Sequence, residues 1–237
     1  MTTEPHLAQA TLDDLVCRGA ANDVFHAEQA RLLLEELDHF VDSVNQSGIG
    51  VQFFANLQAI LQRELILGLT RLYEPYSARN PGRSLPAARR HIETHAAELP
   101  IPHRRSLIDF LASHGQQRDT LETLADEALS RVLVDHLEAL PRADATSGRP
   151  LDQALEQLKT TRDKAIAHHD HLDHASLLVP GWPHMVDLVN TAREIVEALA
   201  DAYVSVSLNL RYDSKRSSVS LRQLMDRAGL TDEQVGH

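Results

Sequence analysis

Apolar residues recur along this chain at intervals of three and four, the spacing that keeps them on one face of an α-helix. From Asn22 to Ser47 the pattern is Val24, Ala27, Leu34, Leu37 and Val41. Asn22 or Asp23 is placed to cap the start, and Ser47, Gly48 and Gly50 to end it. A second helix is predicted from Val51 to Tyr73, with a stripe of Phe54, Leu57, Leu61, Leu65 and Leu69 opposite Gln58 and Gln62. Two long helices joined by so short a turn are expected to pack antiparallel.

The segment EPYSARNPGRS, Glu74 to Ser84, is a loop by its turn residues, and Ser84 can cap a helix of Leu85 to Glu98. Further helices are predicted at His103–Ser113 and at Gln116–Leu140, the latter with Leu121, Leu124, Ala128 and Val132 on one face. After a loop from Pro141 to Pro150, a helix from Leu151 to His169 turns Leu151, Leu155, Leu158, Ala165 and Ile166 inward and Glu156, Lys159 and Lys164 outward. Pro180, Gly181 and Pro183 break the chain again. The last long helix, His184 to Asn209, carries Leu188, Ala192, Ile195, Leu199, Ala202 and Val206. Beyond Tyr212, DSKRSS reads as a polar linker before a short helix at Leu221–Ala228. The expected architecture is all-α, a bundle of long up-and-down helices. An N-terminal extension covers residues 1–21, one helical domain residues 22–209, and a linker with a short helix residues 210–237.

Composition narrows the function. Only 4% of residues are aromatic and glycines are few, which suits helices. No stretch approaches the roughly 20 apolar residues of a membrane span, so no membrane partner is expected. With no secretory signal in MTTEPHLAQATLDD and Cys17 lacking an intrachain partner, a reducing cytoplasm is the expected compartment. The formal charge of −11 excludes a protein that wraps a long nucleic acid, because every neutralised phosphate needs a cation. Any nucleic-acid contact is expected to be local.

The most unusual segment is TTRDKAIAHHDHLDH, in which Arg162 and Asp163 precede His168, His169, Asp170, His171, Asp173 and His174. A guanidinium can stabilise charge on phosphoryl oxygens while an imidazole moves a proton near neutral pH. In an ideal helix Arg162 and His168 are about 9 Å apart along the axis and rotated by about 240°. They converge on one substrate only if the helix is distorted near Ala167 or if a twofold dimer brings two copies together. His169 lies closer to the face of Arg162 and competes for the same role.

The segment RDKAIAHHD, late in an all-helical chain, resembles the Arg-x(4 to 6)-His motif of the HEPN superfamily. The LTRLYEP segment and the Gly-Arg-Ser-Leu loop after it are similar to the abortive-infection U-type branch, and the resemblance extends over residues 22 to 208. It implies a homodimer with two Arg–His motifs at its interface and, in active members, a metal-independent endoribonuclease without cofactor. Carried onto this chain, Arg162 orients the scissile phosphate, His168 is general acid or base, and Asp163 holds one of them in place. His169, Asp170 and Arg71 are candidate binding residues. RNA is the implied substrate, and an antitoxin or other phage-defence protein the implied partner. Where several HEPN toxins carry a Tyr shortly after the motif His, this chain continues HHDHLDH, so regulation through that Tyr is not expected.

Two other classes remain open. One is a HEPN interaction or scaffold module without catalysis. The other is a metal-binding protein using His168, His171 and His174 with Asp170 or Asp173, although one helix end seldom supplies four rigid ligands. The remaining histidines, His39, His91, His95, His114 and His136, read as surface residues. Arg89, Arg90, His103, Arg104 and Arg105 are candidates for a local positive patch, and Arg71 and Glu74 flank Tyr73 where they can line a cleft.

Overall fold

The computed structural model describes residues 4–48, 50–79, 82–143, 148–166 and 180–230, and among these it contains helices and no β-strand. Helix α1 (Glu4–Asp13) runs through a π-helical segment, Asp14–Ala20, directly into α2 (Ala21–Asp38). Asn22 and Asp23 therefore cap nothing, because Ala20 before them is itself helical. The early residues join the core: Leu12 and Val16 are fully buried, and the Gln9 amide donates to the Tyr203 carbonyl at 2.6 Å.

The helix expected from Asn22 to Ser47 is two helices, α2 and α3 (Val41–Ser47), separated at Phe40. Phe40 leaves helical geometry (φ −109°, ψ 0°) with its ring fully buried, and Val41 is turned outward to 40% exposure instead of joining the stripe. Helix α4 (Val51–Leu72) then returns antiparallel to α2, with Arg71 opposite Asp23 and Gly68 against Ala27. The contact is close enough that a Cβ on Gly68 would sit 3.1 Å from the Ala27 methyl and 3.2 Å from the Asp23 carbonyl.

Helices α5 (Leu85–His95), α6 (Arg104–Ser113), α7 (Arg118–Thr123) and α8 (Asp126–Glu138) form a second group. The single helix expected from Gln116 to Leu140 breaks at Leu124 and Ala125, which are extended. Arg104 stabilises the break: its guanidinium donates to the Leu121 and Leu124 carbonyls and pairs with Asp126 at 2.5 Å. The buried stripe of α8 becomes Leu129, Leu133 and Leu137, while Leu124, Ala128 and Val132 are only partly covered.

Helix α9 (Pro150–Thr161) continues into a π-helical turn, Arg162–Ile166. The predicted helix end at His169 and the His-rich run lie outside the described residues. Helix α10 (Trp182–Leu199), with its π-helical extension Ala200–Val204, stops at Ser205 (φ 59°), so Val206 is exposed and not a core residue. The expected linker DSKRSS is instead part of α11 (Leu210–Arg227), because Ser214, Ser218, Leu221 and Met225 form a buried stripe of small and apolar residues facing α2.

Helices α2 and α10 are tied by charge. Glu28, with no exposed surface, accepts from Arg31 at 2.8 and 2.9 Å and from Arg193 at 3.2 Å, while Arg31 also reaches Glu35 at 2.6 Å. Such a group fixes how two helices slide against each other, since displacing one partner strands a buried charge. No described helix is long and apolar enough to cross a membrane.

Candidate active site around Arg162

The start of α9 is fixed by Asp152, a fully buried carboxylate in its first turn. It accepts from Arg149 Nε at 2.6 Å and from the Arg142 backbone N–H at 2.7 Å, and its charge suits the positive end of the helix. Leu155, Leu158 and Thr161 bury the inner face along the next turns. Arg162 follows where the backbone widens into the π-helical turn, a distortion often found at functional sites and one that lowers the angular advance per residue. The π-helical turn covers Arg162–Ile166, and Ala167, where a distortion would let Arg162 and His168 converge, lies outside the described residues.

The Arg162 side chain is one-quarter exposed. Its Nε and Nη2 each lie 2.8 Å from Asp163 Oδ1, and its Nη1 lies 3.9 Å from Glu74 Oε1. Glu74 lies two residues beyond the end of α4 and is positioned by contacts of Tyr73 and Ser84. The buried Tyr73 hydroxyl donates to the Leu188 carbonyl at 2.7 Å, anchoring the end of α4 on α10. The Ser84 hydroxyl donates to the Glu74 carbonyl at 2.7 Å while accepting from Ala87 N–H at 3.3 Å, so one side chain both caps α5 and holds Glu74. The two sequence segments singled out separately, LTRLYEP and RDKAIAHHD, therefore meet at Arg162 and Glu74.

The other candidates divide. Arg71 is exposed and pairs with Asp23 at 3.6 Å. Burial pushes the Asp23 carboxyl above its ordinary range, against the opposing charge and hydrogen bond of Arg71. His168, His169 and Asp170 lie outside the described residues, as do His171, Asp173 and His174. Among the described residues no group of His, Cys, Asp and Glu is arranged to hold a metal ion. Arg104 is committed to the α7–α8 break, and His103 pairs with Asp201 at 3.1 Å. His91 is half-buried with Nε2 2.8 Å from the Ala8 carbonyl, and His136 is half-buried beside Phe110 and His114. Burial lowers the pKa of both imidazoles. The Cys17 thiol is pushed up to about 11 by burial and by Asp13, which leaves it a poor nucleophile at neutral pH.

A groove of about 570 Å³ between α2 and α4 is lined by Leu34, Leu37, Leu65, Trp182 and Met185, with Glu35 and Asp38 on its rim. No Lys, Arg or His lines it among the described residues, so it offers nothing to a phosphate. Sequence reasoning did not place Asp23 opposite Arg71, nor the Glu28, Arg31 and Arg193 group. Its local signal was the Glu28–Arg31 spacing of three, with Arg193 supplied from another helix.

Over residues 26–221 the chain matches the family model described as AbiU2, of HEPN type. No curated protein and no solved structure matches it.

Proposed function

The chain belongs to the AbiU2 family of HEPN proteins, and from that premise we propose that it is a metal-independent endoribonuclease of abortive-infection defence, active as a homodimer. The observation that supports this reading is the meeting of Arg162 with the Glu74 end of the LTRLYEP segment, which brings two distant pieces of sequence together. Asp163 engages the Nε and Nη2 edge of Arg162, and Nη1 is only loosely paired with Glu74. A phosphodiester takes the Nη1 edge in exchange for Glu74, while Asp163 keeps the guanidinium plane fixed.

In the reaction the 2′-hydroxyl of RNA attacks the adjacent phosphorus, the bond from phosphorus to the 5′-oxygen breaks, and a 2′,3′-cyclic phosphate and a 5′-hydroxyl result. One proton leaves the 2′-oxygen and one arrives at the 5′-oxygen. His168 serves this transfer, working with the His168 of a second copy across the twofold axis, and Arg162 stabilises the charge that builds on the non-bridging oxygens. The attacking oxygen is internal to the substrate, so the scheme calls for no metal-activated water.

The test is incubation of the protein with total RNA and tRNA in EDTA, beside Arg162→Ala and His168→Ala. The expected result is cyclic-phosphate ends from wild type and a rate loss of about 10²-fold or more in each variant, with circular dichroism unchanged. A second reading, a HEPN interaction module without catalysis, is favoured by the engagement of Arg162 with two carboxylates. It is the outcome if folded, dimeric wild type leaves every RNA intact.

A further inference from the structure

Directly beyond Glu74 the chain lines a second depression, about 450 Å³ in volume, between the loop after α4, the start of α5 and the end of α8. Its floor includes Tyr73, Leu137 and Leu140, and Pro75, Pro86 and Pro141 also line it. Three arginines, Arg89, Arg90 and Arg142, line it with no carboxylate among the lining residues, in a chain whose net charge is −11. Tyr76 also lines it and is 47% exposed, unlike the fully anchored Tyr73 three residues before it.

We infer that this depression is a nucleotide subsite for single-stranded RNA, with one unpaired base stacked on Tyr76 and the flanking phosphates held by Arg89, Arg90 and Arg142. The inference rests on the nuclease reading for its substrate class and adds where the strand lies beside the cleaved bond. Three observations converge on it. An exposed aromatic ring with a guanidinium fringe is the arrangement that binds single strands without reading their sequence. The volume suits one nucleoside and falls in the range of small-ligand pockets. Glu74, the residue between two lining residues, also pairs with Arg162, so a strand in the subsite leads to the candidate cleavage position.

The arginines are held in reserve by carboxylates outside the depression. Arg89 and Arg142 both pair with Glu138, and Arg90 pairs with Glu93 at 2.8 Å. Arg142 and Arg89 together hold the exposed Glu138 carboxyl below the usual carboxylate range. RNA phosphates then compete with Glu138 for two guanidiniums at once. Removing that carboxylate strengthens RNA binding, an effect that simple damage to the surface does not produce.

The probe is a fluorescein-labelled, 2′-O-methylated oligoribonucleotide, which lacks the attacking hydroxyl, so that binding is read by anisotropy independently of cleavage. Tyr76→Ala is expected to weaken binding about tenfold and Tyr76→Phe to restore it, because stacking uses the ring and not its hydroxyl. Arg142→Ala is expected to flatten the dependence of log affinity on log salt by about 0.7, one single-strand phosphate contact. Glu138→Gln is expected to tighten binding severalfold. Unchanged affinity in Tyr76→Ala and Glu138→Gln, with RNA still bound by wild type, overturns the subsite while leaving the nuclease reading intact. No measurable wild-type binding overturns the subsite even if cleavage of ordinary RNA is seen. Binding that responds to these variants in a protein that cuts nothing supports the subsite and removes only the nuclease reading.

Discussion

The two halves of α4 carry the same apolar spacing and meet different fates. In the C-terminal half Leu61, Leu65, Leu69 and Leu72 are buried under α2 and the helices beside it, and Gly68 allows the backbones to close up. In the N-terminal half no side chain from Val51 to Ile60 is fully buried; Phe54 and Leu57 are half-covered, and Phe53 and Ile60 are 61% and 58% exposed. From Ser43 to Gln62 there is also no charged residue. Periodicity reports which face of a helix is apolar. Whether the same chain covers that face depends on where the partner helix ends, and here α2 stops at Asp38 and Phe40 redirects the chain.

Four substitutions separate the closed half from the open one. The largest effect is expected from Glu28→Ala, which leaves Arg31 and Arg193 buried without their shared carboxylate beside the closed half; a loss of about 3–5 kcal/mol in chemical denaturation is expected. Leu69→Ala, at a position with no exposed surface, should cost about 2–5 kcal/mol by the same measurement. Ser84→Ala removes the cap of α5 and the hydrogen bond to the Glu74 carbonyl, for about 1 kcal/mol. On the nuclease reading it also lowers turnover, because Glu74 and Arg162 lose their alignment. Phe53→Ala, in the open half, should change stability by about 0.5 kcal/mol or less. A loss like that of Leu69→Ala would mean that the open half is covered in solution.

A pH experiment sharpens the same contrast at Asp23, which faces Arg71 at the closed end. Burial raises its folded pKa above the ordinary 3.8, so the folded protein binds this proton more tightly than the unfolded chain. Its contribution to stability is complete below that ordinary value and is lost as pH rises through the raised folded value. At pH 7, Asp23→Asn should therefore match or exceed wild type in melting temperature, and its advantage should shrink as the pH falls toward 4. His91 and His136 act in the opposite sense: their lowered folded values make stability fall as pH drops through about 6.5, equally in both proteins. Comparing the two proteins cancels that background.

Much of the bundle was legible in the sequence because its stripes are long. Leu188, Ala192, Ile195 and Leu199, or Leu61, Leu65 and Leu69, have no reasonable arrangement except one helical face. The errors fall where tertiary contacts override local pattern. Phe40 ends α2 because its ring is drawn inward, Arg104 splits α7 from α8 by occupying carbonyls, and DSKRSS becomes helix because its serines are small enough to lie against α2. None of these leaves a trace within a few residues. For the candidate site, Arg162 and Asp163 were visible as a motif, and Glu74 only as a member of another one. Their meeting depends on Tyr73 anchoring to Leu188, 115 positions away in sequence, which no local reading supplies.

The Ser84 hydroxyl has a use in engineering. By joining the Glu74 carbonyl to the first turn of α5, it closes the intervening segment into a loop whose two ends are fixed by a single side chain. Length added inside such a loop costs little, about 0.6 kcal/mol per doubling, and does not shift the ends. A short peptide tag or fluorophore-bearing insert between Ala78 and Arg79 would therefore hang from a loop whose first fixed end, Glu74, is the partner of Arg162, while the bundle that holds the site stays in register.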